Sequence, residues 1–416
     1  MNKENNKPVI RFKGFTDAWE QRKLNDMCDL ITKQTGFDYS TTIKPALVTM
    51  HEEHTYSFIQ NKDFDGERIN METDFYIPIS VAEKFPKITL DCPSLLISIS
   101  GKIGNVGYYN RIEKAFIGGA VGICKLKNDN GPLLVYALQS DAGQNYFHSL
   151  TKASSHANIT VEDIRNITLI LPTSKAEENK IIDYFHNLDN LITLHQRKYE
   201  KLKNIKKSML EKMFPKKGNN VPEIRFAGFA DAWEQRELSQ ITNYKNGKSH
   251  EGEQSDVGFY ELINLNSISI DGGLKSSGKF INDGNDTLLK NDLVMVLSDV
   301  AHGDLLGRVA IIPENNRYVL NQRVALLRII DNTNPYFLFS IINKHQNYFK
   351  KLGAGSSQLN ISKSTVENFV VDYPKQAEQE QISSFFSNLD NLITLHQRKL
   401  EKLQNIKKAC LDKMFV

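Results

Sequence analysis

From Ile181 onward the apolar positions fall at Phe185, Leu188, Ile192, Tyr199, Leu202, Ile205 and Met209, with His195 in the same stripe. Steps of three and four over this length predict an amphipathic helix with a coiled-coil-like seam. The pattern returns at Ile382, Phe386, Leu389, Ile393, His396, Leu400, Leu403, Ile406, Cys410 and Met414. The expected helix-pair seam is Phe185, Leu188, Ile192, His195 and Leu202 in the first copy, and Phe386, Leu389, Ile393, His396 and Leu403 in the second. His195 and His396 read as polar residues that fix register. Ser174 and Glu177, just after Pro172, form an S-x-x-E sequence that predicts a capping box, and Pro215 closes the first helix. One apolar stripe cannot stabilise an isolated rod, so each helix needs a partner.

Between the helices, residues 25–172 and 239–374 carry short apolar runs broken by Gly, Asn and Asp. The stretches LLISISGKIGNVGYY, KAFIGGAVGICKL, LVMVLSDVAHGDLLGRVAII and RYVLNQRVALLRII predict strands joined by tight turns. Pro132 and Pro335 each open an apolar stretch that reads as a short helix with Pro at its start. The fold class is therefore α+β: two mostly-β domains and two long helices.

The chain is built twice. IRFKGFTDAWEQRKL (10–24) returns as IRFAGFADAWEQREL (224–238), with 12 identities in 15. NLDNLITLHQRKYEKLKNIKKSMLEKMF (187–214) returns at 388–415 with 23 identities in 28. The intervening stretches barely resemble each other, so shared segments alternate with divergent ones. Each K-M-F end precedes an I-R-F-x-G-F block, if the end of the chain is imagined beside its beginning. This cyclic repeat predicts a closed molecule with a pseudo-twofold axis and adjacent termini. The boundaries are 1–173 and 216–374 for the two divergent domains, with helices at 174–215 and 375–416.

Charge orients the helices. Residues 174–194 carry a net −2 and residues 195–217 a net +7; the second copy repeats this with −2 over 375–395 and +4 over 396–416. Antiparallel pairing sets opposite charges side by side, whereas parallel pairing aligns like charges. The whole chain, 416 residues at net +3, leaves the divergent domains slightly acidic. Cys28, Cys92, Cys124 and Cys410 are scattered with no C-x-x-C pair, which fits a reducing compartment better than a zinc site or disulfide framework. With no signal-like or membrane-spanning apolar run, the expectation is a cytoplasmic chain with no membrane partner.

Catalytic motifs are incomplete. Gly247-Lys248-Ser249 resembles the end of a P-loop, but Thr242 stands where its first glycine belongs. Asn334-Pro335-Tyr336-Phe337 lacks the second proline of an amino-methyltransferase loop. His51-Glu52-Glu53-His54 is one residue short of a zinc-protease motif. Neither a nucleophile–base pair, a carboxylate dyad nor a metal site can be read, so the expectation is a non-catalytic chain that binds no cofactor. If the domains bind nucleic acid, specificity must come from polar loop residues reading base edges. The candidates are Lys102, Asn105, Ser155, His156, Asn158, His302, Arg308, Gln322, Arg323, Gln358 and Asn360.

The paired WEQR-L blocks, the glycine turns GKIGNVG and GDLLGRVA, the loops leading to AEENKI and AEQEQI, and the NLDNLI…K-M-F helices together resemble the specificity (S) subunit of type I restriction–modification systems. The resemblance covers essentially the whole chain. It implies two target-recognition domains, each reading one half of a bipartite, asymmetric double-stranded DNA site, on an antiparallel helical spacer. It also implies docking of two methyltransferase (M) subunits, with restriction (R) subunits joining them. S-adenosylmethionine would sit on the M subunits, which methylate adenine at N6, and ATP and Mg2+ on the R subunits. Leu191, Leu194, Leu392 and Leu395, apolar but off the seam, are the candidates for the M-subunit contact. The readings competing with this one are a self-contained DNA methyltransferase and a coiled-coil scaffold with no DNA role.

Overall fold

A computed structural model describes residues 7–152, 158–216, 218–284, 286–300, 303–355 and 358–415. Two compact units divide the chain: Met1–His195 with Arg398–Val416, and Gln196–Gln397. The division falls inside both long helices, Lys175–Lys212 and Gln376–Met414.

In unit 1 the main sheet is antiparallel and runs Cys28–Lys33, Val121–Leu126, Ser94–Ser98, Val106–Tyr109. A second sheet pairs Thr55–Ile59 with Ala115–Ile117 in parallel, flanked by Tyr76–Pro78 and Thr89–Leu90. Unit 2 repeats the plan. Its main sheet runs Thr242–Asn246, Val324–Ile329, Leu293–Val296, Val309–Ile311, and its second sheet again has a parallel pair, Tyr260–Ile263 with Tyr318–Leu320. Helix Pro335–Lys344 begins at the proline that predicts it, and helix Gly131–Gln139 begins one residue before Pro132. The divergent sequences therefore share one scaffold, mostly β with a few helices.

The repeated blocks meet inside each unit. Arg11 makes a two-point ion pair with the buried Glu177 (2.6 and 2.7 Å), and Trp19 donates its indole N–H to the same carboxylate at 3.2 Å. Arg225 grips the buried Glu378 with the same distances. The Trp19 ring meets Phe415 edge-on at 6.0 Å, and Trp233 meets Phe214 at 6.0 Å. The Ile10 N–H donates to Lys413 O at 3.0 Å, and the Ile224 N–H to Lys212 O at 2.9 Å. Unit 1 thus joins the chain's first block to its last helical turns, just as unit 2 joins two consecutive segments. This is the junction that the cyclic repeat predicts.

Glu177 departs from expectation. The S-x-x-E spacing predicts that its carboxylate turns back on the helix start, but the carboxylate instead accepts from Arg11 and Trp19. A fully buried carboxylate is stabilised far more by a bidentate guanidinium than by a backbone N–H.

Within unit 1 the two helices run antiparallel. Tyr184 OH lies 3.3 Å from Cys410 Sγ, and further along Asp189 meets Lys407, so partner numbers fall as residue numbers rise. Unit 2 repeats this with Phe214 near Phe386 and Lys206 on Asp390. The acid half of each helix meets the basic half of the other, which is the pairing the charge pattern predicts. Ile181, Phe185 and Leu188 join Leu411, Met414 and Phe415 in the core of unit 1, and Ile382, Phe386 and Leu389 join Met213 and Phe214 in that of unit 2. The stripe also packs on the domain itself: Tyr136 stacks on Phe185 at 4.9 Å.

Candidate nucleic-acid interface

Two backbone hydrogen bonds organise one end of the main sheet in unit 1. Ile99 donates its N–H to Ala120 O and accepts at its own carbonyl from the Ile159 N–H, both at 2.9 Å. Three segments far apart in sequence therefore converge there: the turn after Ser98, the loop before Val121 and the chain around Asn158. Pairing of Lys33 with Gly122 adds the end of the Cys28–Lys33 strand. Unit 2 builds the same junction from Leu297, whose N–H donates to Arg323 O and whose carbonyl accepts from Ile361 N, again at 2.9 Å. Asn246 pairs with Ala325 there.

Most of the candidate residues lie at these two sheet ends. Lys102 is exposed in a turn that needs φ of +72° at Gly101 and +80° at Gly104. A Cβ on Gly104 would press on Phe147 at 3.1 Å. Asn105 is half-buried and ties the turn down, its amide donating to Asn61 O (3.0 Å) and Phe64 O (2.7 Å). Asn158 is exposed beside Ile159. In unit 2 Arg323 is exposed with φ of +66°, the left-handed region that non-glycine residues seldom enter. Gln322 donates to Glu251 Oε1 at 2.8 Å. Gln358 donates to Ser298 Oγ, on a short strand, Gln358–Asn360, paired with Ser298–Val300; Asn360 is exposed.

Arg308 is differently placed. It is half-buried, donates Nη1 to Asn343 O at 3.0 Å, and its Nε has no partner among the described residues. Burial lowers its pKa. This geometry ties the turn to the helix Pro335–Lys344. Ser155, His156 and His302 lie outside the described residues.

On the helices, Phe185, Leu188, Phe386 and Leu389 are buried, while Ile192, His195, Leu202, Ile393, His396 and Leu403 are half-buried. Leu191, Leu194, Leu392 and Leu395 are exposed at 44, 45, 43 and 46%. Four large apolar side chains, at matching positions of the two copies, thus face outward.

Sequence reasoning missed the polar cluster that fastens each domain to its helices. Tyr136 OH donates to Glu67 Oε1 (2.9 Å) and Asp189 Oδ2 (3.2 Å), and the Lys407 ammonium closes on Asp189. Tyr336, Asp390 and Lys206 repeat the arrangement in unit 2. Burial, reinforced by the carboxylates, pushes both phenols up, so each stays a donor. The nearly matching separation of tyrosine and aspartate in the two halves, 53 and 54 residues, was the available signal.

The model of the type I restriction modification DNA specificity domain matches residues 16–204 and 230–405, once over each half of the duplicated chain. The chain belongs to this family. It is a specificity subunit with two target-recognition domains, one in each unit. The type I restriction enzyme MjaVIII specificity subunit of Methanocaldococcus jannaschii is 22% identical over 376 residues, covering 85% of this chain and 86% of that protein. The putative MjaX specificity subunit of the same organism is 21% identical over 426 aligned positions, covering 99% and 96%. The crystal structure of the type I restriction–modification S subunit from M. genitalium superposes with a TM-score of 0.67 at 16% identity, covering 99% of each chain. A chain from a study of assembly and conformational transition of the type I system gives 0.53 at 13% identity, covering 95% and 97%. Among the described residues of this specificity subunit, no helix is long and apolar enough to cross a membrane.

Proposed function

We propose that each unit reads one half of a bipartite, asymmetric site on double-stranded DNA, and that the paired helices set the spacer between the halves. Two methyltransferase subunits dock on the helices, one at Leu191 and Leu194 and the other at Leu392 and Leu395, and restriction subunits join that core. S-adenosylmethionine belongs to the former subunits, ATP and Mg2+ to the latter. This chain supplies recognition and no bond chemistry, in the cytoplasm.

One observation carries the reading. The same sheet end, built by the same pair of backbone bonds in both units, presents different polar side chains: Lys102 and Asn158 in one, Arg323, Gln358 and Asn360 in the other. A constant frame bearing unlike donors and acceptors is what reading two different base sequences requires.

The test is methylome sequencing of cells carrying this chain with its methyltransferase subunit, before and after residues 25–172 are exchanged for another recognition domain. One half-site should change and the other persist. A change in both halves overturns the modular reading, methylation by this chain without the methyltransferase subunit would favour a self-contained enzyme, and a methylome that no exchange alters would favour a purely scaffolding role.

A further inference from the structure

Gln34 follows the Cys28–Lys33 strand at the sheet end just described, and it is only 4% exposed. Neither its Oε1 nor its Nε2 has a hydrogen-bond partner among the described residues. Leaving a buried amide unpaired costs about 1–3 kcal/mol per group, so such side chains persist where something else completes them. The amide lies directly under an exposed glycine: a Cβ on Gly119 would sit 3.1 Å from Gln34 Oε1.

Unit 2 solves the same position differently. Lys33 pairs with Gly122 and Asn246 with Ala325, so Gln34 corresponds to Gly247, and the loop Gly118-Gly119-Ala120 to Asn321-Gln322-Arg323. Gly247 has no room for a side chain, since its Cβ would lie 1.8 Å from Asn321 O. There the loop bears the polar side chains and the strand is bare. In unit 1 the loop is bare and the strand bears the carboxamide.

We propose that Gln34 is a specificity-determining residue of the first target-recognition domain, and that its carboxamide is completed by an adenine edge in the first half-site, approached past the side-chain-free Gly118-Gly119 loop. A carboxamide offers one donor and one acceptor in a plane, which matches adenine N7 and N6 in the major groove. The unpaired state before binding widens the difference between a matching and a mismatching base, because a mismatch leaves the buried amide as unsatisfied as before.

This inference rests on the proposed half-site reading, and the test separates the two. Gln34→Leu and Gly119→Ala are each assembled with the methyltransferase subunit in cells, and methylomes are compared with that of the unmodified chain. Thermal melting of the purified complexes accompanies them. Gln34→Leu should melt no lower than the parent, since it removes an unpaired buried amide, yet relax or abolish selection at one A·T position of the first half-site, with at least about a tenfold loss of discrimination there. Gly119→Ala, which crowds the amide, should weaken the same position. Intact selection at every position of the first half-site in the well-folded Gln34→Leu complex overturns the role of Gln34, and so does lower stability with unchanged selection. A change confined to the second half-site, or to both together, instead overturns the half-site reading on which it depends.

Discussion

The Lys407 ammonium lies 2.7 and 3.0 Å from the two carboxylate oxygens of Asp189, with Tyr136 OH on the same carboxylate. The pair joins the basic end of one helix to the acidic end of the other, and both side chains are largely shielded (18% and 30% exposed). Removing the cation leaves a shielded carboxylate whose remaining hydrogen-bond partner among the described residues is a phenol. Lys407→Met should therefore destabilise unit 1 by about 1–3 kcal/mol. Exchange of the two residues, Asp189→Lys with Lys407→Asp, should recover part of the loss. Denaturant unfolding of the single and double variants checks both signs.

The Arg11–Glu177 lock should matter more. Glu177 is fully buried and its carboxylate depends on a two-point guanidinium contact. Arg11→Met should cost about 3–5 kcal/mol, the usual penalty for stranding a buried charge. Arg225→Met should do the same at Glu378. Calorimetry should show the first variant lowering the transition of unit 1 and the second that of unit 2. Equal lowering of both by either variant would contradict the separateness of the two cores.

Much of this architecture was legible in the sequence, because repetition and period-3.6 patterning are local signals. The long helices, their opposed charge and the meeting of K-M-F with I-R-F all follow from reading along the chain. The parallel strand pair in each second sheet was not foreseen, since nothing at Thr55–Ile59 announces a partner near residue 116. Glu177 was misassigned for the same reason: its spacing suits a cap, and the guanidinium that claims it is 166 residues away. The candidate site was half legible. The glycine turns GKIGNVG and GDLLGRVA pointed to Lys102, Asn105 and Arg308 alike, and nothing in the sequence separated the exposed Lys102 from Asn105 and Arg308, which the fold uses as internal ties. Gln34 was invisible, because an unpaired amide is a property of its surroundings.

The four outward-facing leucines give a prediction about assembly. Leu191→Glu with Leu194→Glu should leave the fold intact, since both side chains are nearly half exposed. The pair should nonetheless remove one methyltransferase subunit from the complex, and Leu392→Glu with Leu395→Glu the other. Mass measurement of purified complexes would show the stoichiometry falling from two to one, and an unchanged two would place the docking surface elsewhere.

His345 predicts an acid sensitivity of unit 2. Its ring is half-buried near Lys344, with Asp372 opposing and Nδ1 at 2.9 Å from Ile341 O, and loss of solvent, the largest effect, lowers its pKa. The folded state thus resists the proton that the unfolded chain accepts near the ordinary histidine value of about 6.5. Stability from this residue is full above that value and is lost as pH falls below it toward the depressed folded pKa. Unit 2 should melt progressively lower on acidification from about pH 7 to pH 5, and His345→Asn should flatten that slope. An equally steep slope in the variant would assign the sensitivity to other groups.

Arg323 sets stability against recognition at one residue. Its φ of +66° is costly for a side chain with a Cβ and free for glycine, and the guanidinium is exposed at the sheet end where the reading segments converge. Arg323→Gly should therefore stabilise unit 2 by about 1 kcal/mol. The same change should weaken DNA binding by the assembled complex and relax selection in the second half-site only. Lys102→Ala supplies the contrast: with no strain to relieve, it should leave melting unchanged and shallow the salt dependence of binding by about one counterion. Loss of stability in Arg323→Gly, or unaltered selection by the complex that carries it, would mean that the strained backbone serves the turn itself and not the reading of DNA.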